Sequence, residues 1–521
     1  MLFPSLLFAF LSVFSSDSPK EEKPNIVLIL ADDLGWSDIG CYGSEVETPN
    51  LDWLAENGVR FTQMYNTAKC NPSRAALMTG LYAQQVGYEA TYQQPLINGI
   101  TLGELLKSAG YRTMWAGKHH GFDHPMDRGF DRYYGLMEGA SNHFNPGLRR
   151  EGEAQPAQKR PDRPFYVDRN LFQPYTPPQD YYSTDYFTKY ALQWLEEYRA
   201  ETQPFFLYLA YTAPHDPLMA WPEDIEKYKG KYDQGYEAIR QKRFEKQKKL
   251  GLIAEDYPIT EAIHAPWESL SDSLQNLEAQ KMEVYAAMID RMDQKIGEII
   301  QKLRQLGKLD NTVFIFLSDN GASAEMVNIP GDGKIGTVGH WTSLGGDWAN
   351  VGNTPLRFFK NYSFEGGIRT PLIISWPKGL QAKNQFNDFP AHLIDILPTL
   401  ADLSGATYPE KLDGKPVLPY AGQSLLPAIR GEMEVREKPI FWEWAVGRAV
   451  RQGDWKLVAH GKEAPWELFD LSTDPYETKN RIADFPEKAQ ELRTLFQEWK
   501  ERSAQQKASG QLSWPSASSD Q

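Results

Sequence analysis

The chain has 521 residues, which at roughly 150 residues per domain allows about three domains, or one large domain with an appendage. Its 41% hydrophobic and 24% charged residues lie close to globular averages and exclude a mostly disordered, collagenous or multi-spanning membrane protein. Lys+Arg 55 against Asp+Glu 69 gives a net charge of -14, so long-range attraction to nucleic acid is excluded and an anionic substrate must be captured locally.

Residues 2–14 form an apolar run followed by Ser15 and Ser16. A run of this length falls short of the about 20 residues that span a bilayer. It reads as a secretory signal over residues 1–16, although no Lys or Arg precedes it. No other run is long and apolar enough for a membrane span. The mature protein is therefore expected to be exported, periplasmic or secreted, without stable membrane association.

Three short apolar runs then share one pattern. Residues 26–31 run into Asp32-Asp33, residues 205–211 into Pro214-His215-Asp216, and residues 313–317 into Ser318-Asp319-Asn320-Gly321. Continuous rather than alternating hydrophobicity marks strands buried on both faces, as in a parallel sheet covered by helices. Helical patterns fall between them at 50–57, 102–109, 186–199 and 282–306. The prediction is an α/β fold with a large doubly wound, mostly parallel sheet flanked by helices. Ligands in such sheets gather outside the carboxyl ends of the strands, where the polar clusters lie. Segments 142–182 and 224–277 read as insertions, either solvated surface or walls of a site. From about Arg436, PIFWEWAVG, RAVRQGDWKLVAHG and WELFDLSTDP read as antiparallel strands, with a helix at 486–502. The expected division is a catalytic domain over 24–435, a small C-terminal α+β subdomain over 436–502, and a disordered tail over 503–521.

The two cysteines, Cys41 and Cys70, cannot make a disulfide framework. In NTAKCNPSRAALMTGLY, Pro72, the helix formers 75–78 and Gly80 place Cys70 at the N-terminal lip of a helix, which favours an anion. From position alone it is either a packing thiol or a reactive group. Asp32, Asp33, Asp319 and Asn320 offer hard oxygen donors from two strand ends, which points to Ca²⁺ or Mg²⁺ rather than zinc.

CNPSR followed by LMTG resembles the Cys-x-Pro-Ser-Arg signature of the type I sulfatases, within the alkaline-phosphatase superfamily. PNIVLILADDLGWSDIGCYG, ETPNLDWLAENGVRF, GYRTMWAGKHH, RGFDRYYG, PFFLYLAYTAPHDP, TVFIFLSDNGA, NTPLRFFKNYSFEGGIRTPLIISWP and ELFDLSTDPYETKN resemble its other landmarks, in order, over about residues 24–480. SLGGDWANVGNTPLRFFK is similar to the arylsulfatase-like branch.

The resemblance implies that a maturation enzyme converts Cys70 to formylglycine, whose hydrated aldehyde is the nucleophile. It implies one Ca²⁺ ion held by Asp32, Asp33, Asp319, Asn320 and the modified Cys70. It casts Arg74 as positioning the diol, Lys118 and Lys360 as holding sulfate oxygens, His120 as helping to break down a covalent sulfate intermediate, and His215 as protonating the leaving group. The chain departs from the family at His119, where a Trp is usual; register assigns the role to His120, with His119 beside it. The expected substrate is a sulfated small molecule or glycan, and the aromatic-rich insertions favour a carbohydrate. Two alternatives stand: a phosphonate monoester or phosphodiester hydrolase with the same nucleophile, and a glycan-binding protein that has lost catalysis.

Overall fold

The protein is described from a computed structural model over residues 22–381, 383–412 and 414–510. The expected signal segment and residues 511–521 of the tail lie outside the described residues.

Strands β1 (Asn25–Asp32), β2 (Gly58–Tyr65), β3 (Arg112–Gly117), β4 (Arg132–Leu136), β5 (Phe165–Val167), β6 (Asn170–Phe172), β7 (Phe205–Pro214), β8 (Thr312–Ser318), β9 (Arg369–Ser375) and β10 (Gln385–Asn387) form one sheet in the order β10-β2-β9-β8-β1-β7-β3-β4-β5-β6, and β11 (Ala391–His392) pairs with β2. The central β8-β1-β7-β3-β4 block is parallel throughout. β9 runs antiparallel to both β8 and β2. The three apolar runs picked out in the sequence are thus β1 and its two neighbours.

Every residue of β1, β7 and β8 is buried. Because side chains alternate along a strand, Val27, Ile29 and Ala31 enter the core on one face while Ile26, Leu28 and Leu30 enter the core on the other. This two-sided burial explains why the runs show no polar alternation. The first face is covered by helices Pro49–Glu56, Ser183–Glu197 and Asp272–Gln305. The second is covered by Leu102–Ser108 and Ile396–Ser404. Capping follows local chemistry: Thr101 accepts from the Glu104 amide while the Glu104 carboxylate returns to the Thr101 amide.

The segment 224–277 is more deeply built in than a solvated surface. Its helix Gly235–Lys249 buries Arg243 completely, and the guanidinium bonds Asp38 at 2.6 Å and Glu45 at 2.8 Å. The insertion therefore braces the loop that follows the first acidic cluster.

A two-residue pair, β12 (Lys411–Leu412) with β13 (Lys415–Pro416), precedes an antiparallel sheet of β14 (Ile440–Trp444), β15 (Gly447–Gln452), β16 (Trp455–His460) and β17 (Glu467–Asp470). The helix behind it, Pro486–Ser509, continues past the end expected at 502 because Ser503 is still buried against the body. Residues 503–509, expected to be disordered, are therefore helical. Among the described residues no helix is long and apolar enough to cross a membrane.

Candidate active site

β1 and β8 are register neighbours, with Ala31 opposite Ser318, so Asp32-Asp33 and Asp319-Asn320 leave the sheet side by side. Asp33 turns the chain with φ 64, a left-handed conformation uncommon outside glycine. The turn is pinned by the Asp33 amide donating to Asp319 Oδ1 at 3.2 Å and the Leu34 amide donating to Ser318 Oγ at 3.1 Å. β3 delivers Lys118 and then His119-His120, and β7 delivers His215. The helix Cys70–Thr79 starts at Cys70, has Pro72 in its first turn and ends at Gly80 with φ 67. No side chain caps its N-terminus. Lys360 comes from the loop between Leu356 and Glu365.

These segments converge. The Cys70 thiol and carboxylate oxygens of Asp32 and Asp319 lie within 4.8 Å of one another, and Asp32, Asp33 and His215 form a second such group. Lys118 Nζ lies 2.6 Å from Asp32 Oδ2, and Lys360 Nζ 2.8 Å from Asp33 Oδ2. Arg74 Nε donates to Asp319 Oδ2 at 2.9 Å and its Nη1 to the Lys118 carbonyl at 3.2 Å. Asn320 Nδ2 donates to Asp33 Oδ1 at 2.6 Å. Nine of the ten residues assigned roles from the sequence, among them both lysines and His215, are therefore linked in one cluster at the carboxyl edge of the sheet, and His120 follows Lys118 by two residues.

The donor chemistry fits a hard divalent cation. Asp32 shares one close group with Asp33 and another with Asp319, and Oδ1 of Asp32 and Oδ1 of Asn320 are buried without a hydrogen-bond partner. The carboxyl groups also crowd one another. Burial, together with the charge of Asp32, pushes Asp319 up to about 6, although Arg74 opposes this. Burial works against ionisation of Asp33 too, but Lys360 and His215 outweigh it and hold that carboxyl low.

The histidines divide by environment. Burial opposes charge on His215, yet Asp33 and Asp32 outweigh it and push the imidazole up to about 10. Nδ1 of His215 is 2.6 Å from the Asp216 carbonyl, and its Nε2 is 3.5 Å from Asp33 Oδ2. His120 is held well below its ordinary value by burial and by Lys118 and Arg74. Its φ of 58 is again left-handed, and its ring meets Tyr92 edge-on at 4.6 Å. His119 turns the other way, onto Trp115 at 4.9 Å, and burial lowers it to about 3. The two neighbouring rings thus pack against different partners.

Several residues join the cluster without having been singled out. Glu325 pairs with Lys360 at 2.8 Å and with Lys69, and despite burial these lysines hold it at about 2. Asp216 takes hydrogen bonds from Ser343 at 2.5 Å and Trp341 at 3.4 Å while lying 2.9 Å from His215 Nδ1. His143, buried in the insertion, contacts the His215 carbonyl at 3.0 Å and Ser183 Oγ at 2.7 Å. Asp216 was visible as the neighbour of His215; Glu325 and His143 carry no local signal. A cavity of about 310 Å³ lined by Tyr92, Phe122, Glu138, Arg160 and Tyr166 opens beside His120. A larger one of about 720 Å³, lined by Asp185, Glu196 and Lys295, shares no residue with the cluster.

Residues 24–406 match the sulfatase family model, and residues 356–506 match a model described as N-sulphoglucosamine sulphohydrolase, C-terminal. An arylsulfatase of Klebsiella aerogenes is 36% identical over 436 residues, covering 78% of this chain and 92% of that protein. An uncharacterized sulfatase of Schizosaccharomyces pombe is 34% identical over 519 residues, covering 91% and 92%. Among solved structures, that of Ps i-CgsB in complex with k-i-k-neocarrahexaose superposes with a TM-score of 0.68 at 26% identity, covering 93% of this chain and 94% of that one. A family model spanning most of the chain, together with relatives similar over nearly their full length, shows that this chain belongs to the sulfatase family, enzymes that hydrolyse sulfate esters.

Proposed function

We propose that the protein is an exported, Ca²⁺-dependent sulfatase that uses formylglycine at position 70 to release sulfate from a sulfated carbohydrate. The placement of Cys70 carries this reading. A thiol at an uncapped helix N-terminus, within 4.8 Å of Asp32 and Asp319, which in turn pair with Lys118 and Arg74, sits where an anionic oxygen nucleophile and a sulfate group are both stabilised. An unmodified packing cysteine needs none of these charges.

In the proposed reaction one hydroxyl of the hydrated aldehyde gives its proton to the neighbouring Asp319 carboxylate and attacks sulfur, the bond from sulfur to the ester oxygen breaks, and that oxygen departs with a proton from His215. The residue then carries a sulfate ester and a second hydroxyl. His120 accepts the proton of that hydroxyl, the carbon–oxygen bond to sulfate breaks, and the aldehyde re-forms and is rehydrated by water. A serine at this position would lack the second hydroxyl and stop at the sulfate ester. Lys118 and Lys360 take the equatorial sulfate oxygens, and Arg74 orients residue 70 through its contacts to Asp319 and the Lys118 carbonyl. Asp32, Asp33, Asp319 and Asn320 would hold the cation, which when bound supplies a concentrated positive charge beside residue 70. Export would bring the chain to polymeric substrates. The aromatic rings of Tyr92, Phe122 and Tyr166 in the cavity beside His120 favour a sugar ring as the group that leaves.

The decisive measurement joins intact mass with activity. Protein from a host with the maturation enzyme is expected to show thiol-to-aldehyde conversion at Cys70 and to hydrolyse a sulfate ester faster than a phosphodiester at equal concentration. Cys70→Ala should lose both the mass change and the turnover. Dominant phosphodiester turnover would make the chain a phosphodiesterase of this fold.

A further inference from the structure

The loop that carries Lys360 has a backbone that does not hold itself. Phe358 and Asn361 flank the lysine with φ 62 and φ 77, both left-handed and neither a glycine. Such positions persist only where surrounding contacts over-determine them. Inside the loop the Phe358 and Tyr362 rings stack at 4.6 Å with 1° between planes.

The remaining contacts reach across to the C-terminal sheet. His460, the last residue of β16, stacks on the other face of Tyr362 at 3.9 Å and 18°, which completes a three-ring column. Trp444, the last residue of β14, donates from Nε1 to Asn361 Oδ1 at 3.1 Å. Past the loop, the Glu365 amide donates to Glu477 Oε2 at 2.8 Å, and Glu365 pairs with buried Lys456 of β16 at 2.7 Å. From the catalytic side, the Asn361 amide donates to the Ala68 carbonyl at 2.8 Å and its Nδ2 to Glu325 Oε1 at 3.2 Å. Lys360 Nζ lies between Asp33 and Glu325, 2.8 Å from each.

We infer that the C-terminal sheet positions Lys360, with His460 and Trp444 as positioning residues that act through Tyr362 and Asn361. Neither residue belongs to the cluster around Cys70. Their effect is to fix the two left-handed turns that aim the ammonium at the anion site. This inference rests on the role proposed for Lys360.

The experiment is a coupling cycle on the mature full-length enzyme with 4-nitrophenyl sulfate as substrate. His460→Ala, His460→Phe and Trp444→Phe are made in the parent and in Lys360→Ala, and kcat, KM and Tm are measured for each. His460→Ala is expected to lower kcat/KM by about 10-fold or more, since small displacements of a charge-bearing group are costly. Trp444→Phe, which keeps the ring and deletes one N–H, should lower it about 3-fold. His460→Phe, which preserves the stack, should recover most of the loss. In the Lys360→Ala background all three should change kcat/KM by less than about 2-fold, because the group they position is gone. Equal losses in both backgrounds, or no loss in the parent, would overturn the inference while leaving the role of Lys360 intact. Full activity of Lys360→Ala itself would overturn that role and this inference with it. Trp444→Phe and His460→Phe keep the core filled, so the cycle is readable even if His460→Ala unfolds.

Discussion

Asp33 concentrates the demands of the site on one residue: a left-handed backbone, an ion pair to Lys360, a hydrogen bond from Asn320 and proximity to His215. Asx side chains tolerate that backbone better than most, so Asp33→Asn should preserve the turn while removing the charge. Ca²⁺ at about 100 times its dissociation constant is expected to stabilise the parent by about 2.7 kcal/mol, read as a rise in Tm. In Asp33→Asn most of that rise should vanish; a rise of the same size would remove Asp33 from the cation site. At this scale the sequence was informative wherever a residue sits at a strand end or helix start, as with Asp32, Asp33, Cys70, Asp319 and Asn320. It was silent on Glu325 and His143, which reach the cluster from loops distant in the chain and have no strand to announce them.

The elements followed local physics closely. The runs 26–31, 205–211 and 313–317 became β1, β7 and β8 because continuous apolar stretches suit only strands covered on both faces. Short edge strands such as Asn170–Phe172, and the antiparallel insertion of β9 between β8 and β2, had no such signature. Contacts between elements carry the clearest stability prediction. Lys456 of β16 is fully buried and pairs at 2.7 Å with both Glu365 and Glu477. Burial, reinforced by Glu365, already pushes Glu477 up to about 7, although Lys456 opposes this. Lys456→Met would leave Glu477 in the interior without its cation and Glu365 with Arg369 alone at 3.6 Å, at a cost of about 3–5 kcal/mol in urea unfolding. Adding Glu477→Gln should recover part of it; a loss under about 1 kcal/mol for the single variant would mean the triad is not a junction between the two sheets.

Across the whole molecule, acid should act through buried neutral histidines. Burial holds His143 at about 4 despite a bond to the His215 carbonyl, and burial with Arg436 holds His392 at about 3. In the unfolded chain each titrates near 6.5. Their folded pKa values are depressed, so between these values and 6.5 the unfolded state binds more protons and stability falls as pH falls. Each should cost roughly 2 kcal/mol by pH 5. Urea midpoints at pH 7.5 and 5 measure this. His392→Asn, which keeps an acceptor for the Ile394 amide, should remove the share due to His392, and an unchanged pH dependence would count against it.

By itself the sequence determined the doubly wound sheet, the polar clusters at its strand ends and the family, because those depend on hydrophobic periodicity, turn chemistry and short motifs read along the chain. It also placed Cys70 at a helix start. Only the tertiary structure decided that the His119 and His120 rings turn to different neighbours, Trp115 and Tyr92, that Glu325 and Asp216 join the cluster, and that the C-terminal sheet grips the Lys360 loop. The reason is physical: these depend on which side of the backbone a side chain leaves and on contacts between segments about a hundred residues apart, such as Tyr362 with His460. Such contacts are fixed by packing and leave no mark on either segment alone.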